Sequence, residues 1–270
     1  MRKWFRDHPI QFGLLCLAMG ILILLTAMTL STSSASAAPL PQDEKPSNET
    51  CLACHQKEGM STQIGGQTLP LTIDTNKFSA SVHGTEGIAC VDCHTDITGF
   101  PHPEVTASSP RDFSLKMYPT CQQCHNDQYQ KTLDSVHQTA LAAGNTNAAV
   151  CTDCHNPHTQ TRLTDKNTGK LLPEAKLTIP DKCARCHSTI YNAYKQSVHG
   201  SALTEGNTDV PTCIDCHGVH NIQDPRTNTF RNSTPYLCAE CHTEVMESQT
   251  EYHNIPDFES CTECHNPHKI

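Results

Sequence analysis

Eight times along the chain, two cysteines stand three positions apart with a histidine directly after the second. The sites are Cys51/Cys54/His55, Cys90/Cys93/His94, Cys121/Cys124/His125, Cys151/Cys154/His155, Cys183/Cys186/His187, Cys213/Cys216/His217, Cys238/Cys241/His242 and Cys261/Cys264/His265. Cys-x-x-Cys-His is the attachment signature of c-type haem. The two thiols bond to the porphyrin vinyl groups, and the adjacent imidazole binds iron from one face. The sequence therefore predicts eight covalently attached haems, with these eight histidines as proximal iron ligands. Structural zinc also uses Cys-x-x-Cys pairs, but it draws four ligands from two such pairs. Neither zinc nor a disulfide framework requires the histidine that follows all eight pairs. The seventeenth cysteine, Cys16, lies in an apolar leader.

The chain has 17 histidines. Beyond the eight in the motifs and His8 in the leader, eight remain: His83, His102, His137, His158, His199, His220, His253 and His268. Their number suggests a second, distal ligand for every iron. A lone histidine is more often a surface residue, but here the positions repeat. From Cys121 the order is motif, eleven residues, His137, thirteen residues, motif, two residues, His158. From Cys183 the same numbers recur through His199 and His220. From Cys238 the gaps are ten, seven and two; from Cys51 they are 27, six and seven. Ser81-Val82-His83, Ser135-Val136-His137 and Ser197-Val198-His199 also match one another. Met60 and Met117 hold no repeated position and are not expected as ligands.

The repeat divides the chain into four dihaem units, at residues 51–110, 111–172, 173–230 and 231–270, after a leader (1–38) and a linker (39–50). The expected fold class is mainly irregular with short α-helices, packed on haem. Helices are expected from each unit's first motif toward its spare histidine, as over residues 184–203, 239–252 and, in short form, 75–83. The proline-rich stretches 100–110 and 173–180 read as linkers.

Chain reach excludes some ligand pairings. Trans imidazoles with metal bonds of about 2 Å place their Cα atoms roughly 13 Å apart. Three residues extend at most about 11 Å. His158 therefore does not share an iron with His155, nor His220 with His217, nor His268 with His265. If residues 125–137 are helical, His137 lies about 18 Å from His125, which excludes that pair as well. The expected scheme is reciprocal ligation inside each unit. His83, His137, His199 and His253 go to the haems of His94, His155, His217 and His265. His102, His158, His220 and His268 go to the haems of His55, His125, His187 and His242, with a reach forward to the next unit as the alternative for this second set.

Only 36% of residues are hydrophobic and 5% aromatic, too few for a chain of 270 residues to build an ordinary core. Eight apolar macrocycles would supply what is missing. The net charge of −9 argues against nucleic acid and suits either simple solubility or basic patches on redox partners. In the leader, Arg2, Lys3 and Arg6 precede an uncharged stretch over residues 10–30 and an Ala35-Ser36-Ala37 cleavage site. The stretch is long enough to span a bilayer. An uncleaved transmembrane anchor and a cleaved signal peptide both remain open. Both place the haem-bearing part on the outer, periplasmic side of a bacterial cytoplasmic membrane.

The segments Cys90-Val91-Asp92-Cys93-His94, Cys151-Thr152-Asp153-Cys154-His155-Asn156-Pro157-His158 and Cys213-Ile214-Asp215-Cys216-His217-Gly218-Val219-His220 resemble multihaem class III-type c cytochromes, including tetrahaem electron-transfer domains. The resemblance covers about residues 48–270. It implies bis-histidine haems of low potential in a closely spaced chain, and, for anchored members, a quinol-oxidising partner. The chain departs from anchored tetrahaem quinol dehydrogenases in having eight motifs and Lys57 where a methionine stands. The function expected is an electron carrier between a membrane, quinol-linked donor and a periplasmic or external acceptor, with no catalytic residues. Its partners would be redox proteins, among them a membrane quinol-oxidising or reductase complex. The alternative is an oxidoreductase with one open haem that reduces a small nitrogen or sulfur oxyanion. The haem expected to receive His102 is the first place to look for such an opening.

Overall fold

The computed structural model describes residues 38–39, 45–244 and 261–270. The leader, most of the linker and His253 lie outside the described residues. The chain divides into two compact units, one of residues 1–42 and 98–103, the other of 43–97 and 104–270. In the first, Ala38–Pro39 pairs antiparallel with Gly99–Phe100. The second carries the eight motifs.

The second unit is a string of short helices. In order they are α1 (Asn48–His55), α2 (Thr75–Ala80), α3 (Val82–Thr85), α4 (Cys90–Cys93), α5 (Pro110–Met117), α6 (Asn126–Leu133), α7 (Val136–Ala142) and α8 (Cys151–Cys154). They continue with α9 (Pro173–Ala184), α10 (Ser188–Lys195), α11 (Val198–Thr204), α12 (Cys213–His217) and α13 (Asn228–Ala239). One hairpin, β1 (Ser61–Ile64) on β2 (Gln67–Pro70), fills most of the long gap after the first motif. Among the described residues no helix is long and apolar enough to cross a membrane.

Two of the helices expected to run unbroken toward a spare histidine are interrupted, and the third, over 239–252, lies largely outside the described residues. Within 184–203, Ala184 ends α9, and α10 and α11 follow after a break at 185–187 with Gln196 and Ser197 between them, while 75–83 break at Ser81. The cause is local. Ser81, Ser135 and Ser197 adopt extended backbone and cap the next helix, each hydroxyl accepting from the N–H three residues on (Gly84 at 3.0 Å, Gln138 at 3.1 Å, Gly200 at 3.1 Å). A serine hydroxyl competes for backbone donors in just this way and so starts helices rather than continuing them. All three serines are buried, at 3% exposure or less. Each helix thus begins one residue before its spare histidine.

Residues 173–180, expected as a linker, are helical instead. Pro173 sits in the first turn of α9, where its missing N–H costs nothing. Pro180 lies inside the helix and forfeits one backbone bond, but Ala175, Ile179 and Pro180 are all buried, and their packing offsets that loss. The stretch 101–109 is irregular, as expected.

The conventional core is thin. Among the described residues the buried hydrophobic side chains are Ile64, Ala148, Val150, Ala175, Ile179, Tyr194 and Leu203. That is too little to fold some two hundred residues by burial alone. Meanwhile Val198 and Val219, 61% and 52% exposed, each directly precede a spare histidine. A flat apolar macrocycle at those histidines would cover both.

Candidate haem sites

The imidazoles come together in pairs. Ring centres lie 6.1 Å apart for His83 and His125, 6.1 Å for His94 and His158, and 6.2 Å for His137 and His187. They lie 6.3 Å apart for His155 and His220, 6.2 Å for His199 and His242, and 6.0 Å for His217 and His268. In every pair one ring belongs to a motif and the other is a spare. Two metal–imidazole bonds of about 2 Å, with about 1.1 Å from each nitrogen to its ring centre, place trans rings about 6.2 Å apart. Ordinary aromatic contacts scatter between about 4.5 and 7 Å. Six pairs within 0.3 Å of one another fit a single atom held between two rings.

The pairing differs from the scheme expected within units. His83 faces His125 rather than His94, His137 faces His187 rather than His155, and His199 faces His242 rather than His217. His158, His220 and His268 face His94, His155 and His217 rather than His125, His187 and His242. The breaks at Ser81, Ser135 and Ser197 are the physical reason. They turn the spare histidine off the line of the preceding helix and toward the neighbouring unit. None of the six pairs is one that chain reach excludes.

Burial first, and the facing imidazole second, holds His137, His158, His199, His217 and His220 below the usual imidazole range. Burial does the same to His155 and His268. The neutral ring is the form that binds metal. Several rings are also fixed through their second nitrogen. Nδ1 lies 2.9 Å from the Leu71 carbonyl oxygen in His55, 2.9 Å from that of Pro157 in His83 and 2.9 Å from that of Pro103 in His102. His155 Nδ1 lies 3.1 Å from Gln160 Oε1. Such contacts fix the tautomer and leave Nε2 for the metal.

The motif cysteines lie in chain order. Within each unit the first thiols of the two motifs meet: Cys51 with Cys90, Cys121 with Cys151, Cys183 with Cys213, and Cys238 with Cys261. Burial, with the neighbouring thiol, pushes Cys90 and Cys238 up to about 11. Between units, Cys93 lies near Cys121, Cys154 near Cys183, and Cys216 near Cys241. The eight motifs thus form one series from the first to the last.

The sixteen motif cysteines are not equally enclosed. The first thiol of every motif is half-buried, as are Cys93 and Cys154. The second thiols Cys54, Cys124, Cys186, Cys216, Cys241 and Cys264 are exposed. The first thiol opens the motif turn and packs on its counterpart in the same unit. The second comes at the end of that turn, where fewer protein atoms surround it.

Among the described residues no three His, Cys, Asp or Glu side chains converge to hold a bare metal ion. Two protein ligands per iron suffice when a porphyrin supplies the other four, so paired imidazoles suit haem.

Two devices that hold the motifs were missed at the level of sequence. Asp92, Asp153 and Asp215 each accept from the N–H that opens their motif helix, Ala89 at 2.9 Å, Val150 at 2.7 Å and Thr212 at 2.6 Å. Each also meets a base from upstream of its own motif: Lys45 at 2.5 Å, Arg111 at 2.8 Å and Lys176 at 3.7 Å. The recurring Cys-x-Asp-Cys-His was the available signal. The second device is a backbone bond at each unit boundary. The N–H groups of Val82, Val136 and Val198 donate to the carbonyls of Gln160 (2.8 Å), Ile222 (2.8 Å) and Ile270 (2.6 Å). Backbone partners of this kind leave no mark on residue type.

Comparison with known proteins agrees with this chemistry. The cytochrome c3 family matches residues 82–168, and the doubled CXXCH motif family matches residues 202–247. The chain is a multihaem c-type cytochrome. Multiheme cytochrome MtrA of Shewanella baltica (strain OS185) is 27% identical over 170 residues, which cover 58% of this chain and 48% of that protein. The chain therefore spans about half the length of that relative. No solved structure matches it.

Proposed function

We propose that this protein is an extracytoplasmic electron carrier with eight haems in series, passing electrons from a membrane, quinol-linked donor to a periplasmic or external acceptor. The observation that carries the reading is the set of six motif-to-spare imidazole pairs at 6.0–6.3 Å. Each bound haem would supply a one-electron iron couple held between two imidazoles. The sixteen motif cysteines anchor the porphyrins, and His55, His94, His125, His155, His187, His217, His242 and His265 bind from one face. His83, His102, His137, His158, His199, His220, His253 and His268 bind from the other. Two imidazoles per iron leave no position for a substrate, which favours carrier over enzyme. The serial placement of the attachment sites and the likeness to a multiheme cytochrome support transfer along the chain's length. Redox proteins would meet the two ends of the series, and the leader would keep one end at the membrane.

The test is a count. Haem content by alkaline pyridine spectrum and intact mass should give eight per chain. Low-temperature paramagnetic resonance of the oxidised protein should show low-spin iron throughout. One stoichiometric high-spin iron would move the reading to the oxidoreductase. Absence of covalent haem would end it.

A further inference from the structure

We infer that successive dihaem units are joined by exchanged iron ligands, each unit completing one haem of its neighbour at every boundary. This rests on the bis-histidine reading above and names the ligand pairs within it.

The pattern recurs three times. At the first boundary, His83 lies before the boundary and faces His125 beyond it, while His158 lies beyond and faces His94 before it. At the second, His137 faces His187 and His220 faces His155. At the third, His199 faces His242 and His268 faces His217. Each exchange is stitched by one backbone bond. Val82, beside His83, donates to Gln160, two residues after His158; Val136 and Val198 do the same toward Ile222 and Ile270. The two spare histidines of a boundary are therefore held against each other by main chain. At the first boundary the Pro157 carbonyl also meets His83 Nδ1 at 2.9 Å.

The sequence agrees with the exchange residue by residue. The forward-reaching ligands His83, His137 and His199 are the ones preceded by Ser-Val. The backward-reaching ligands His158, His220 and His268 are the ones that follow a motif histidine by three positions. His102 and His253, which keep neither signature, stand outside this pattern. The structural repeat is thus a crossed pair of haems straddling a boundary, offset by one motif from the repeat that spacing suggests. Pulling two units apart would remove a ligand from two irons at once.

The test uses the full chain. His158→Ala should add one high-spin ferric iron. Removing the haem of His94 as well, with Cys90→Ala and Cys93→Ala, should abolish that signal, whereas removing the haem of His125, with Cys121→Ala and Cys124→Ala, should leave it. The mirror experiment with His83→Ala should give the opposite dependence. Added imidazole should return each single variant to low spin, which separates ligand loss from unfolding. A high-spin signal that disappears with the haem of the ligand's own unit, or no such signal in correctly loaded variants, would overturn the exchange. Wild-type protein without covalent haem would instead overturn the reading beneath it.

Discussion

Ser81-Val82-His83-Gly84 and Ser197-Val198-His199-Gly200 deliver a ring to the same place from different starting points. His83 follows its preceding motif by 27 residues that include a hairpin, His199 by eleven that include one helix. Their ring separations nonetheless agree, 6.1 Å against 6.2 Å. Distance along the chain from the last motif does not set the ligand. The capping serine, the valine N–H bonded across the boundary and the tight turn behind them do. The hairpin is a tolerated insertion because its ends need only meet, and loop length costs little once closed.

The largest effect that would break this equivalence lies at the glycines. A Cβ on Gly84 would overlap the Phe78 carbonyl oxygen, and one on Gly200 that of Tyr194. Gln138 fills the matching position of the second unit, so among the described residues the squeeze falls in units one and three. Gly84→Ala and Gly200→Ala should each cost about 1–3 kcal/mol in denaturant unfolding, as overpacking does. Each should also add a high-spin component, at the haems of His125 and His242. Gln138→Ala should do neither. Equal behaviour at all three positions would show that the turn does not aim the ligand.

A middle-sized effect separates the first unit from the second at their ion pairs. Arg111 donates to Asp153, to the Thr146 carbonyl at 2.7 Å and to the Ala148 carbonyl, with its side chain 25% exposed. Lys45 meets only Asp92 among the partners described, from a side chain that is 75% exposed. Arg111→Ala should cost roughly 1–3 kcal/mol in unfolding, because it strands acceptors as well as a charge. Lys45→Ala should barely register, as exposed pairs usually do.

Much of the chemistry was visible in the sequence, because haem attachment demands fixed residue types at fixed spacing. The motif cysteines and histidines, the spare histidines and the shortage of core formers could all be read from composition and repeats. The partner of each spare ring could not. That depends on a two-residue break at Asp134-Ser135 or Gln196-Ser197, and on which carbonyl a valine N–H meets. Serine's capping habit was available as a clue, since Ser-Val-His recurs, but the same residues also fit a continuing helix. The proline pair at 173 and 180 misled for a related reason: burial of Ala175 and Ile179 outweighs one lost backbone bond. Spacing also treats the two thiols of a motif alike, whereas Cys51 is half-buried and Cys54 exposed. That difference arises from packing between motifs, which no single motif records.

The smallest effect sharpens the comparison inside the first unit, on the short helix that leads to Ser81. Asp74 caps α2, and the Lys77 N–H donating at 3.0 Å holds its carboxyl below the usual carboxylate range. A depressed value means the cap contributes above the unfolded pKa of about 3.9 and is lost as pH falls through the lower folded value. The difference in unfolding midpoint between wild type and Asp74→Ala should be present at neutral pH and close below about pH 4. A difference that persisted in stronger acid would remove the carboxylate from the account.

The exchanged ligands also bear on how the molecule is made. In chain order His94 comes sixty-four residues before His158 and His155 sixty-five before His220. With the proposed exchange, the second iron of each of the first three units would be held on one side only until the following unit is in place. His83, by contrast, is already in place when His125 arrives. If the exchange holds, assembly would be asymmetric in time even though the finished joint is symmetric, and a chain truncated between units would carry one iron without its distal imidazole.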